Sequence, residues 1–173
     1  MATRSPLDRY PVTSKYLMTR AQALTFPADL LNVKVKSDEV YGIVIDMPMG
    51  IDIVTTMVCF VNGAANLYFN NGGEYSGASM RYRNLVQAAR NLVLNANNLK
   101  PLCDKVKAFD MPVGKTHFIY LLTKKGVYKT EVVPALLKDA PDEKRICFSL
   151  YQNVMSEIRN CQLKDRAANQ ANK

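Results

Sequence analysis

The sequence predicts an α+β domain: a mainly antiparallel five-stranded sheet with helices packed on it, in the order β-β-β-α-α-β-β-α. Three observations carry that reading. Three runs rich in β-branched and aromatic residues lie between positions 40 and 69, joined by turn-forming residues. From position 79 the apolar residues recur at helical spacing. After position 115 two more strand-like runs flank Lys124-Lys125-Gly126, and a long helical pattern closes the chain. Neighbouring strands joined by tight turns pair antiparallel, which sets the sense of the sheet.

Taken in order, residues 1–20 are polar, basic and interrupted by Pro6 and Pro11, and read as a flexible arm with helical potential beginning at Ser14. A single domain is expected over 21–164 and a polar tail over 165–173. Pro27 suits a first helical position, so residues 27–32 read as one or two helical turns. Residues 40–47 form a first strand, Pro48-Met49-Gly50 a turn, and residues 51–61 a second strand. Asn62-Gly63 tolerates the positive φ of a hairpin turn and leads into a short third strand over 66–69. After a Gly-rich loop over 70–77, Ser79 is placed to cap a helix carrying Leu85, Ala89, Leu92, Val93 and Ala96 on one side. Pro101 allows a second short helix with Leu102, Val106 and Phe109 on one face. Residues 116–123 and 127–133 form a hairpin. The last helix runs over about 142–164, with Ile146, Leu150, Val154, Ile158 and Cys161 as its buried stripe.

The chain has 173 residues, 48% hydrophobic and 22% charged, which excludes a disordered, collagen-like or coiled-coil protein. Lys and Arg number 23 against 15 Asp and Glu, a net +8. The excess is uneven: residues 1–36 carry +4 and 100–138 carry +5, whereas 37–99 carry −2. Within the second basic stretch, Lys105, Lys107, Lys124, Lys125 and Lys129 form a candidate patch for nucleic acid or another polyanion, with Tyr120 and Tyr128 as stacking platforms. No RNA-recognition signature surrounds them, and a solvated lysine face is the competing reading.

Cys59, Cys103, Cys147 and Cys161 show neither zinc nor redox spacing, so free thiols in a reducing, cytoplasmic setting are expected. No apolar run approaches the ~18 residues of a membrane span, and the N-terminus lacks a signal-like apolar core. Gly114-Lys115-Thr116 is not a phosphate loop, because Phe109 stands where the motif needs Gly and a strand follows. The loop Asn70-Asn71-Gly72-Gly73-Glu74 joins a strand to a helix, so its amides, with Arg81 and Arg83 nearby, make a candidate interaction or anion site; a plain turn is the alternative. The single histidine, His117, falls on the strand face of Ile119 and Leu121, as a packed residue does. Neither catalytic residues nor a metal or cofactor site is expected.

Tyr41-Gly42-Ile43-Val44-Ile45-Asp46, Leu67-Tyr68-Phe69-Asn70-Asn71-Gly72-Gly73, Phe118-Ile119-Tyr120-Leu121-Leu122-Thr123 and Val154-Met155-Ser156-Glu157-Ile158-Arg159 together resemble a group of small bacterial proteins of no assigned activity. In these a strand ending Leu-Tyr-Phe runs into a Gly-rich turn before a helix, and the likeness spans about residues 22–159. It implies a bacterial cytosolic protein. The element order is also similar to profilin-like folds such as longin and roadblock domains, and architecture does not transfer function. The expected role is a non-enzymatic scaffold or regulatory module that binds another protein or itself, with nucleic-acid or anionic-ligand binding as the alternative and no membrane partner.

Overall fold

The computed structural model describes residues 11–173. Its main elements are α1 (Ser14–Leu24), β1 (Gly42–Pro48), β2 (Val54–Phe60), β3 (Ala65–Phe69), β4 (Glu74–Tyr75), α2 (Arg83–Leu99), β5 (Asp104–Val106), β6 (His117–Thr123), β7 (Gly126–Val132) and α3 (Asp142–Ala171). The strands form one antiparallel sheet in the order β4-β3-β2-β1-β6-β7-β5. Strand β1 is its centre, with Ile43 opposite Cys59 of β2 on one side and Leu121 of β6 on the other.

Helical segments cover both faces of the sheet, which explains the unbroken apolar run Ile43-Val44-Ile45: every side chain of that run is buried. On one face Ile43, Ile45, Met57, Ile119 and Leu121 meet α2 through Leu85, Leu92 and Leu99, and α3 through Tyr151, Val154 and Ile158. Each such fully buried side chain contributes about 1.5–3 kcal/mol. On the other face Val44, Phe60, Phe118, Tyr120 and Leu122 lie under Ala23, Leu24, Ala28 and Leu31, from α1 and the 3-10 turn Ala28–Leu31.

Several expectations are corrected. The sheet has seven strands rather than five, because two short edge strands carry too few residues to show a period. Glu74 and Tyr75, read as loop, fold back on Tyr68 and Leu67. The expected helix after Pro101 is a single 3-10 turn (Lys100–Leu102), after which Asp104–Val106 pairs with β7. Val106 and Phe109 then pack on the α1 face, while Leu102 is 41% exposed. With α1 and these strands counted, the element order differs from the one on which the profilin-like likeness rested.

Of the expected arm, residues 1–10 lie outside the described residues, and residues 14–20 belong to a docked helix. Thr13 caps it by accepting from the Tyr16 N–H at 3.2 Å, and Tyr16 and Arg20 are buried. Ser79 does not cap α2, because Ala78–Met80 is itself a 3-10 turn and the helix starts at Arg83. In the first turns of α3 the buried positions are Cys147 and Tyr151, and Ile146 is 48% exposed. The helix continues through most of the expected tail.

Candidate functional site

The Gly-rich loop is stitched to its surroundings. Asn70 is 1% exposed: its Oδ1 accepts from the Val54 N–H at 3.1 Å, and its Nδ2 donates to the carbonyls of Asp52 at 2.7 Å and Pro11 at 2.9 Å. The Gly72 N–H donates to the Phe69 carbonyl, the Gly73 N–H to Asn71 Oδ1, and the Gly77 N–H to Asn66 Oδ1. The amides expected to face an anion are thus already engaged within the chain, and the helix that was to sharpen them begins only at Arg83. Glu74 pairs with Lys15 of α1 at 3.0 Å on the surface. Gly72 has φ +92° and sits against the Thr13 side chain.

Arg81 turns toward α3 instead of the loop. Asp165 accepts from Tyr75 Oη at 2.6 Å, Tyr82 Oη at 2.5 Å and Arg81 Nη2 at 2.9 Å. These hydrogen bonds, led by the tyrosines, hold the Asp165 carboxyl below its ordinary pKa. The cluster ties β4 and the start of α2 to the end of α3. Arg83 is exposed at the first position of α2 and joins none of these contacts.

The five lysines of the candidate patch do not share one surface. Lys105 stands opposite Tyr128, while Lys129 stands opposite Tyr120, so strand alternation puts them on different faces. Lys129 lies over the Phe118 ring, 3.6 Å from its centroid, and reaches Glu131 at 3.7 Å. Lys124 lies 3.6 Å from Asp29. Lys107 and Lys125 are exposed.

His117 is buried, with Nδ1 2.8 Å from the Tyr151 hydroxyl and its ring stacked on Phe148. Burial pulls its pKa down to about 4, so the imidazole is neutral at pH 7. The four thiols are free, and burial raises the pKa of each. Among the described residues no group of three or more His, Cys, Asp and Glu is placed to hold a metal, and no helix is long and apolar enough to cross a membrane.

Three features escaped the sequence reading. The first is a buried clasp on the α1 face. Arg20 Nε lies 3.2 Å from both Asp46 oxygens and Nη2 lies 2.7 Å from Oδ2, with Asp46 fully buried. The Thr56 hydroxyl donates to Asp46 at 2.7 Å, and Tyr16 Oη donates to Thr56 at 2.6 Å. Arg20 also donates to the carbonyls of Phe109 and Asp110. Burial opposes the Arg20 charge, and Asp46, aided by Tyr16 and Tyr120, more than offsets it, so its pKa ends above the usual value.

The second is the tip between β1 and β2. Residues 51–53 were expected in a strand, yet β2 starts at Val54. Met49, Ile51 and Ile53 are left 51%, 80% and 47% exposed. The third is a cavity of about 430 Å³ beside that tip, between the α3-facing side of β2 and β3 and the helix α3. Leu67, Phe69, Met155 and Ile158 give it apolar walls, Thr55 lies in its floor and Arg159 on its rim. An Ile-x-Ile pair between Gly50 and the strand, and an arginine in line with Gln152 and Ser156 on α3, were the signals available. Comparison with protein-family models, with curated proteins and with solved structures finds no match.

Proposed function

We propose that this chain is a non-enzymatic binding module of the bacterial cytosol whose partner is another protein, anchored on the β1–β2 tip. The observation that carries this reading is the exposure of Met49, Ile51 and Ile53 within five residues of one another. Large apolar side chains clustered on a short hairpin contribute roughly 1.5–3 kcal/mol each when fully covered, and buried apolar anchors of this kind supply the core of protein interfaces. Nothing in the fold needs these three outside: β2 and β3 are fully paired without them. Four free thiols, three of them buried, support a reducing compartment.

The test compares the wild-type chain with Ile51→Asp as bait in its host lysate, alongside sedimentation of each protein alone. The expected result is one partner retained at stoichiometric level by wild type and lost by Ile51→Asp, with both baits melting within a degree or two of each other because the position is exposed. Equal retention by the two baits refutes the tip as the anchor. A wild-type dimer that Ile51→Asp dissociates refutes the heterologous partner and puts a second copy in its place.

A further inference from the structure

The cavity between α3 and the β2–β3 strands holds more than a gap in the packing. Its floor includes Thr55, which is 2% exposed, and among the described residues its hydroxyl has no hydrogen-bond partner. Register places Thr55 opposite Met47 and Phe69, on a face whose other central residues are apolar. A hydroxyl at such a position loses its water without gaining a partner, an arrangement that folded chains avoid unless something else supplies the bond.

Of the ten residues lining the cavity, Arg159 is the sole charged one. It makes no ion pair or hydrogen bond among the described residues. Arg159, exposed at the rim, therefore presents a fork of donors that no side chain of the described residues takes, beside apolar walls formed by Leu67, Phe69 and Met155. The larger cavities differ. The one of about 690 Å³ sets Asp29 and Glu39 among Lys34, Lys36 and Lys124, so its charges answer one another.

We infer that this cavity binds a small amphiphilic carboxylate, with Arg159 taking the carboxylate, the Thr55 hydroxyl donating to a ligand oxygen, and the apolar body lying on Leu67, Phe69 and Met155. The volume is within the range of about 300–1,000 Å³ usual for small-molecule sites, toward its lower end, which selects a compact ligand over an extended polymer. A neutral apolar ligand leaves the guanidinium unpaired, and a cationic one is repelled by it. The site adjoins the protein-binding tip through Met49, whereas Ile51, the residue on which the tip is tested, is not among its lining residues.

Decanoate below its micelle concentration, with decanol and decylamine as matched neutral and cationic probes, tests this by calorimetry on the full chain. Wild type is expected to bind one decanoate per chain, about tenfold tighter than decanol, with no decylamine signal. Arg159→Gln removes the preference for decanoate over decanol. Thr55→Val weakens decanoate severalfold without lowering the melting temperature, since it deletes an unpaired hydroxyl and keeps the shape. Ser156→Phe, at an exposed helix position lining the cavity, blocks both decanoate and decanol. Ile51→Asp binds decanoate as wild type does, whatever it does to the protein partner. No decanoate binding by wild type, an undiminished preference in Arg159→Gln, or binding that survives Ser156→Phe overturns the assignment.

Discussion

Removing the cation of the buried clasp is expected to be among the most damaging single changes on the α1 face. Arg20→Met keeps most of the apolar stem but strips Asp46 of three hydrogen bonds, leaving a carboxylate with no solvent exposure and, among the described residues, the Thr56 hydroxyl as its side-chain donor. Breaking a buried pair from one side costs about 3–5 kcal/mol, because the survivor's charge stays buried without compensation. Against a total stability of about 5–15 kcal/mol for a domain, that is a third or more of the whole. The same logic makes Arg20→Met with Asp46→Leu milder than Arg20→Met alone, since the double change removes both desolvation penalties. Urea unfolding of the two single variants and the double one gives the coupling directly, and hydrogen exchange over residues 14–24 reports whether α1 loosens first. A loss below about 1 kcal/mol for Arg20→Met would place the pair with solvent-screened surface bridges and refute the reasoning. A double variant as unstable as the single would trace the loss to the Phe109 and Asp110 carbonyls that Arg20 also serves.

At Gly72 the backbone φ of +92° and the Thr13 hydroxyl, 3.1 Å from where a Cβ would stand, make Gly72→Ala costly by about 1 kcal/mol or more in thermal or urea unfolding. Glu74→Ala in the same loop removes only the exposed pair with Lys15 and should shift stability by less than about 0.5 kcal/mol. The folded chain holds His117 with its pKa lowered from 6.5 to about 4, so the unfolded state binds the proton more readily. Its neutral form therefore contributes stability that is complete above pH 6.5 and is lost as the pH falls from 6.5 toward 4. A His117→Gln variant should show a smaller drop in urea midpoint across that interval than wild type does; parallel profiles would show that another group titrates.

The central sheet and the two long helices were legible because each buries a repeated pattern. The Val-Ile run of β1, the Asn62-Gly63 turn and the spacing of Leu85, Leu92 and Val93 all state their partners locally. The edge strands were not legible, since two or three residues such as Glu74-Tyr75 carry no period and are fixed by what they pair with. The helix α1 was underread for a different reason. Beside Ala23 and Leu24, its inward residues are Tyr16 and Arg20, polar or charged types whose burial depends on Thr56 and Asp46, which are 40 and 26 positions away in sequence. No local window shows a cation that a distant carboxylate will neutralise. The tip was misread because Ile51 and Ile53 have high strand propensity, and propensity says nothing about whether a partner strand reaches that far.

The two candidate sites read from sequence and the two that the structure offers differ in one physical respect, namely whether their polar groups are already used. Glycine amides, asparagines and arginines mark ligand loops because they can donate, and the same donors serve equally well to close a turn. In the 70–77 loop the chain itself takes them: Asn70 binds Pro11, Asp52 and Val54, and the Gly72, Gly73 and Gly77 amides each find an internal acceptor. Arg81 is taken by Asp165, and Lys124 and Lys129 by Asp29 and Glu131. Besides the exposed Arg83, Lys105, Lys107 and Lys125, the fold leaves unspent the Thr55 hydroxyl, the Arg159 guanidinium and the apolar side chains of the β1–β2 tip, and of these only the Thr55 hydroxyl is buried. Residue type announces a capacity to bind, and the fold decides which of those capacities remain open to a second molecule. That distinction is why the structural argument for function rests on Arg159 and Ile51, which the sequence reading did not single out as site residues.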